Sequence, residues 1–430
     1  MPSAASPEGG ARQGGQAPRV IIVGAPGNAR AWAIRDFLHR SDVPFEYVEC
    51  RSDLEAREKA GVSGVRDSRL PVCFFSDNTR MDCPTIRQIT EKLGWFANPS
   101  RREYDLAIYG AGPAGLSAAV YGASDGLSVV CVERWAVGGQ AASTSRIENY
   151  LGFPQGVSGN ELAERAREQA IKFGAEILLA REGVKAEFPP GKGVGYLEDG
   201  TRIVARASIC ATGIAYRRLE LPGEARFLGA GVYYGAGASE AQLVQGDDVY
   251  VIGGGNSAGQ AVLHFSDHAR KVYLVVRDAS LEETMSAYLI ERIRHLGNVE
   301  VLLRHDLVAL EGREMLEEIT LENRATGERR KAKTHWVFVC IGGVPQTAWA
   351  IAAGVVRDEQ GYIVTGPDLA RDGNRPERWP LHREPYFLET NVPGVFAAGD
   401  VRHGSVKRCA SAVGEGAMAV AFVHRHLAHR

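Results

Sequence analysis

The sequence has seven cysteines, and no two of them are spaced as CxxC. Cys50, Cys73, Cys83, Cys131, Cys210, Cys340 and Cys409 are scattered along the chain, which argues against a secreted disulfide framework and against a zinc site. Cys131, Cys210 and Cys340 fall in apolar β-like runs and read as buried small side chains. Long hydrophobic runs are also missing: none reaches the roughly 18 residues that a membrane-spanning helix needs. No cationic and apolar leader opens the chain, so the expected location is cytoplasmic, away from any membrane. A formal net charge of −2 gives no reason to expect a nucleic-acid partner. Glycine, by contrast, is plentiful at 50 residues, several of them in turns that read as phosphate cradles. A length of 430 residues is a prior for roughly two to four domains.

Residues 1–17, small, polar and Gly-rich, cannot bury enough surface to offset ordering entropy and are expected to be a disordered tail. Strand-like runs "RVIIVGAP", "FEYVEC" and "PVCFF" then alternate with helix-like "ARAWAIRDFLHR", "DLEAREKA" and Pro84 to Leu93. In this order, residues 18–96 resemble a glutaredoxin or thioredoxin-like domain, and "RLPVCFF" resembles the loop in which that fold holds a cis proline, here Pro71. That fold places its redox cysteines at the start of the first helix; here the segment is "APGNARAW", without a thiol. A docking role without redox chemistry is therefore expected. Residues 97–103 are polar, contain Pro99 and read as a linker.

Two longer α/β units follow. In "YDLAIYGAGPAGLSAAVYGASDGLSVVCVER" a β-run meets Gly110, Gly112 and Gly115 and then an apolar helix. Gly110 makes the tight turn, Gly112 admits a pyrophosphate to the backbone N–H groups, and Gly115 lets helix and sheet approach. Glu133 ends the second β-run and can accept from a ribose hydroxyl. "DDVYVIGGGNSAGQAV" repeats the plan with Gly253, Gly255 and Ala258, opening a helix through Asn256 and Ser257. Its second β-run ends at Arg277, where a cation fits the extra phosphate of NADPH and a carboxylate would favour NADH. NADPH is the expected cofactor, with NADH as the alternative, because Glu282 and Glu283 follow.

From about residue 104 onward the chain resembles the low-molecular-weight thioredoxin reductases, FAD- and NAD(P)H-dependent members of the pyridine nucleotide-disulfide oxidoreductases. The resemblance rests on "GGQAASTSRIENYLGFP", "ICATG", "VFVCIGGVP" and "TNVPGVFAAGDV". It implies an α/β fold with two Rossmann-like domains, the FAD domain (104–218 and 340–430) split by an inserted NAD(P)H domain (219–339). It places Gly110, Gly112, Pro113, Ala114, Gly115, Glu133, Arg134, Gly139, Gln140, Asn149, Ala211, Thr212, Gly213, Gly399 and Asp400 along FAD. Lys407, Arg408 and Cys409 are placed at the flavin pyrimidine edge, where Arg408 is expected to raise the flavin potential. Gly253, Gly255, Asn256, Ser257, Ala258, Arg277 and Gly342 are placed along NAD(P)H. A homodimer whose NAD(P) domain rotates is also implied.

The departure is local. The family carries a CxxC between "GVSY" and the second glycine turn; here the two possible registers fall on Gly235 and Ala238 or on Ala236 and Ser239, within Gly235, Ala236, Gly237, Ala238 and Ser239. Without a thiol, this segment cannot take electrons and pass them to a disulfide. Cys409, or Cys73 with Cys83 across the cis-proline loop, are the remaining thiol candidates, and Tyr233 and Tyr234 the flanking aromatics that merit mutation first. The expected activity is hydride transfer from NAD(P)H to FAD and onward to an undetermined acceptor, a redox protein among the candidates, that docks directly. The alternatives are a regulatory flavoprotein with residues 18–96 as a partner platform, and a thioredoxin reductase using other cysteines. The segment 366–390, with Trp379, Tyr386 and Phe387, is a long loop that covers the flavin, binds a partner or is a surface excursion.

Overall fold

Local sequence signals start the helices of the N-terminal unit. Strand β1 (Val20–Gly24) leads to α1 (Ala29–Arg40), whose first turn is capped by Asn28. After β2 (Phe45–Glu49), Ser52 caps α2 (Asp53–Ala60) and Gly61 ends it in the left-handed region. Strands β3 (Val72–Phe75) and β4 (Arg80–Asp82) precede α3 (Ile86–Lys92), which opens with a Thr85–Gln88 capping box. The four strands form one sheet of order β2-β1-β3-β4, with β1 and β2 parallel and β3 antiparallel to β1. The Leu70–Pro71 bond is cis, as the sequence resemblance implies. Strand β4 is not among the expected elements: three residues with an exposed, polar pattern carry no strand signal. The structure, a computed structural model, describes residues 19–235, 240–241, 243–370 and 379–429. Residues 1–17 and 236–239 therefore lie outside it, as does most of the tip of the long loop.

The next unit is built on a seven-stranded sheet. Strand β5 (Tyr104–Tyr109), α4 (Pro113–Ser124) and β6 (Val129–Val132) form the first crossover; a 3-10 turn at Gly139–Ser143 and α5 (Gly159–Lys172) lead to β7 (Glu176–Leu178). Strands β8 (Gly183–Glu187), β9 (Gly193–Leu197) and the long β10 (Arg202–Cys210) make an antiparallel meander. The last half of β10 is parallel to β5, so the sheet runs β7-β6-β5-β10 in one direction. The apolar runs of β5 and β6 are buried on both faces, which is why they lack alternation.

The chain then leaves through β11 (Ile214–Tyr216). After α6 (Glu224–Phe227) come β12 (Val232–Tyr234), β13 (Asp248–Ile252), α7 (Asn256–Ser266), β14 (Lys271–Val276), α8 (Ala287–Arg294) and β15 (Val299–Leu303). An antiparallel sheet of β16 (His305–Gly312), β17 (Leu316–Asn323) and β18 (Arg329–Lys333) precedes β19 (Trp336–Val339). The parallel sheet here has the order β12-β19-β13-β14-β15. Strand β20 (Gly343–Pro345) returns antiparallel to β11, so a two-stranded ribbon joins the two nucleotide-binding units. Helix α9 (Ala348–Ala352), β21 (Val395–Ala397) beside β10, and α10 (Cys409–Ala428) complete the first sheet's unit. Helices α4 and α10 pack closely because Gly416 has no side chain: a Cβ there would lie 2.1 Å from the Ala114 carbonyl oxygen. No helix among the described residues is long and apolar enough to cross a membrane.

Candidate active site

The first glycine turn sits at the carboxyl end of β5. Gly110 has φ +104°, and a Cβ on it would lie 2.3 Å from the Ala211 carbonyl oxygen. A Cβ on Gly115 would lie 1.8 Å from the Gly110 carbonyl oxygen, so the turn itself, more than helix-to-sheet packing, demands this glycine. Above Gly112 there is open space, with nothing within 4 Å of a Cβ built there. Gly112 supplies no side-chain cap to α4, so the first N–H groups of the helix face that space. Free N–H groups at a helix N-terminus beside open room fit the pyrophosphate of FAD.

Glu133 stands at the end of β6 beside the turn. It is buried, and its carboxylate accepts from Ala111 N at 2.7 Å and Trp135 N at 2.9 Å. Burial raises its pKa, against the pull of these two hydrogen bonds. With Gly110, Arg134 and Thr212 it lines a cleft at the ends of β5, β6 and β10, which fits a ribose and adenine. Gly213, at φ +61°, turns the chain out of that cleft into β11.

The turn Gly139–Ser143 lies against the first glycine turn, with 3.3 Å between a Cβ built on Gly139 and Gly112 Cα. Gln140 Nε2 donates to Ile214 O at 2.7 Å, tying the turn to the ribbon. Ser143 Oγ donates to Gln140 O at 2.8 Å and meets the Tyr216 hydroxyl at 3.2 Å. Asn149 is exposed, and its neighbour Glu148 pairs with Arg292 of α8 at 2.6 Å. On the opposite side, Gly399 N donates to Glu415 Oε2 at 2.7 Å and Asp400 is mostly enclosed, which raises its pKa despite Lys407 nearby. Lys407 lies over the Tyr362 ring at 4.4 Å, and Arg408 is an exposed N-cap residue of α10. Cys409 opens α10, and burial pushes its thiol up. Burial also raises the thiols of Cys50, Cys73, Cys131, Cys210 and Cys340. Cys73 and Cys83 are free thiols, the first fully buried and the second half-buried.

The second glycine turn repeats the first. Gly253 has φ +142°, and a Cβ would lie 2.3 Å from Cys340 O. Gly255 begins α7 without a side-chain cap, and Asn256 Oδ1 accepts from Ser286 N at 2.7 Å. Ser257 is exposed beside it, and Ala258 is buried against the sheet. Arg277 is exposed and only 3.6 Å from Asp278. Glu282 is held by Arg294 at 2.6 Å, a partner on α8 that sequence spacing does not bring to mind. Gly342, at φ +85°, is exposed at the head of the ribbon.

The residue that follows β12 is enclosed. Gly235 is buried at φ +95°, and a Cβ on it would lie 2.4 Å from the Tyr216 hydroxyl and 2.9 Å from its Cζ. A phenol thus occupies the space that a side chain at 235 would need. Ala236, Gly237, Ala238 and Ser239 lie outside the described residues. Tyr233 and Tyr234 are core residues and offer nothing to an incoming acceptor. Tyr233 stacks on Trp336 and Phe338 at 5.7 and 5.2 Å between centroids, and the Tyr234 hydroxyl donates to Glu224 at 2.8 Å. Tyr216 itself had no signal in the sequence; its role comes from a tertiary contact.

The long loop is placed as well. Tyr386 stacks on Phe422 at 5.3 Å, Arg383 pairs with the fully buried Glu389 at 2.6 Å, and Trp379 is buried. Phe422 is 13 residues along α10 from Cys409, which at about 1.5 Å per residue is roughly 20 Å from the helix start. Tyr386 thus packs on the far part of α10, whereas Phe387 is exposed and lies under the Arg402 guanidinium at 5.3 Å, close to the Gly399 turn.

Two mononucleotide turns, each at the end of a parallel strand of its own sheet, joined by a ribbon, define a flavin- and pyridine-nucleotide-dependent oxidoreductase. A match to the family described as pyridine nucleotide-disulphide oxidoreductase spans residues 104–416, and the chain belongs to that family. It is 33% identical over 332 residues to a thioredoxin reductase of Yarrowia lipolytica, covering 75% of this chain and 98% of that one. It is 34% identical over 329 residues to the thioredoxin reductase of Bacillus subtilis, covering 75% and 95%. Among solved structures, Lactococcus lactis thioredoxin reductase in its FR conformation superposes with a TM-score of 0.67 at 27% identity, covering 76% of this chain and all of that one. The T. acidophilum thioredoxin reductase gives the same TM-score at 30% identity, with the same coverage. The fold is therefore the thioredoxin reductase fold, the chain is an NAD(P)H-dependent flavin oxidoreductase, and its cofactors are those of the family, FAD and NADPH.

Proposed function

We propose that this enzyme passes electrons from NADPH through FAD to an acceptor that docks directly, with no thiol of its own in the route. The single observation that carries this is Gly235, which is buried under the Tyr216 phenol where one register of the family's CxxC would begin. Burial of Cys50, Cys73, Cys131, Cys210 and Cys340 supports it, since thiolate is the reactive form. Bound FAD supplies the chemistry, accepting a hydride and releasing electrons to the acceptor. The protein's part is to hold the pyrophosphate at α4, the adenosine ribose at Glu133 and the second nucleotide at α7. Residues 104–218 and 340–430 form the FAD unit in this reading, and 219–339 the NAD(P)H unit. Arg277 favours NADPH: it is exposed and loosely paired, while Glu282 is neutralised by Arg294. We take the enzyme to be a homodimer, as the family resemblance implies; light scattering of the purified protein checks this. The main test is anaerobic mixing with NADPH, then addition of thioredoxin and a disulfide dye. Fast bleaching of the flavin without dye reduction is expected. Absent or very slow bleaching would instead point to a regulatory flavoprotein, and dye reduction to a thiol route.

A further inference from the structure

The N-terminal unit is not an appendage on the outer surface. Helix α1 is wedged between the two nucleotide-binding units. Near its start, a Cβ built on Gly27 would lie 3.3 Å from Ala230 Cβ. Midway, the Trp32 and Tyr233 rings are 6.1 Å apart and Arg35 forms a buried ion pair with Glu240 at 3.2 Å. The hydrophobic core of the N-terminal unit also takes in Trp135 and Ala136 of the FAD unit.

The last residue of α1 reaches the flavin side. Arg40 Nη1 donates to the Gly139 carbonyl at 3.3 Å, and the guanidinium pairs with Asp36 one turn back at 2.9 Å. Both side chains are nearly enclosed, at 12% and 14% exposure. A buried guanidinium must be paired or it destabilises the fold, and its planar fork fixes the direction of each bond. The same charge lies beside the phenol of Tyr216 on the ribbon. Tyr216 meets Ser143, and Ser143 holds the Gln140 carbonyl. One guanidinium therefore holds the Gly139–Ser143 turn and lies near the phenol on the strand that turn is bonded to.

We propose that Arg40 is a positioning residue of the flavin site: from the N-terminal unit it sets the Gly139–Ser143 turn against the β11 ribbon, so that docking of this unit fixes how Gln140 is presented to FAD. This rests on the reading of that turn as the flavin-side wall. It gives the thioredoxin-like unit a task that needs no redox thiol of its own.

The test compares Arg40→Met and Arg40→Lys with Asp42→Ala, which removes the exposed bond from Asn160 at 3.1 Å in the same docking interface and leaves both bonds of the Arg40 guanidinium in place. The readouts are FAD affinity of the reconstituted apoprotein and the visible circular dichroism of the bound flavin. Arg40→Met is expected to weaken FAD binding about tenfold or more, roughly 1.4 kcal/mol, and to change the flavin spectrum. Arg40→Lys should recover part of both, and Asp42→Ala should move neither. A folded Arg40→Met protein with wild-type affinity and spectrum overturns the proposal, as does an equal effect from Asp42→Ala. If Arg40→Met does not fold, Tyr216→Phe breaks the hydroxyl link to Ser143 while leaving Arg40 paired with Asp36. An altered flavin spectrum in that variant supports the proposal, and an unaltered one overturns it. Wild-type protein that binds no FAD overturns the flavoprotein reading itself, and is seen before any variant is made.

Discussion

Replacing Gly235 by alanine probes the rebuilt segment with a single methyl group. At φ +95° any residue with a Cβ is strained, which costs about 1–3 kcal/mol. The new methyl would lie 2.4 Å from the Tyr216 hydroxyl and 2.9 Å from Cζ. That phenol cannot swing away cheaply, because it is held by Ser143 at 3.2 Å and flanked by Tyr234 at 6.1 Å. Overpacking of this kind costs about 1–3 kcal/mol more, so a total loss of roughly 2–6 kcal/mol is expected. Urea unfolding of the apoprotein, followed by far-UV circular dichroism, measures it. The same change in a Tyr216→Phe background removes the nearest of the clashing atoms and should cost about 1 kcal/mol less. A Gly235→Ala protein within about 0.5 kcal/mol of wild type, or an unchanged cost in the phenylalanine background, would refute the claim that the phenol has taken the side-chain space at 235.

Arg277→Ala should shift the ratio of kcat/KM for NADPH over NADH downward by roughly 10–100-fold, the value of a charge-assisted bond of about 1.5–3 kcal/mol; steady-state kinetics with both nucleotides reads it. Arg408→Gln should lower the flavin midpoint potential in a redox titration, because it removes an exposed cation from the start of α10, the end that the family resemblance turns toward the flavin's pyrimidine edge. Glu176 anchors the linker, accepting from the Ser100 amide at 2.9 Å and the Tyr104 hydroxyl at 2.7 Å. Partial burial works against its charge, but these bonds win and lower its pKa. A lowered folded-state pKa gives stability that is present above the unfolded value and lost on acidification. The stability gap between wild type and Glu176→Gln should therefore be full at neutral pH and close as the pH falls below about 4.3, measured by urea unfolding at several pH values.

The glycine turns were legible because their conformations leave little choice. Gly110, Gly115 and Gly253 each face a backbone carbonyl at a distance no Cβ tolerates. The helix starts of the N-terminal unit were legible for the same local reason, through Asn28, Ser52 and Thr85. Position alone did not reveal which polar side chains are buried. Arg40 sits at the end of a helix where a basic residue is ordinary, and only the docking of α1 between two units gives it Gly139 and Tyr216 as neighbours. Tyr233 and Tyr234 looked available beside a run of small residues, yet strand β12 is an interior-facing edge of its sheet and both rings are consumed by packing. The long loop lacked periodicity because its order comes from a few tertiary anchors, Arg383 on Glu389 and Tyr386 on Phe422.

The central claim is that electrons leave this enzyme without passing through a thiol of its own. A variant with all seven cysteines replaced by serine or alanine, loaded with FAD, tests it directly. Stopped-flow mixing with NADPH under anaerobic conditions, followed by reoxidation with a small quinone, gives both half-reactions. Flavin reduction and reoxidation should both run within about threefold of wild-type rates, a difference under about 1 kcal/mol in barrier. Loss of either half-reaction in a folded, FAD-loaded variant would contradict it.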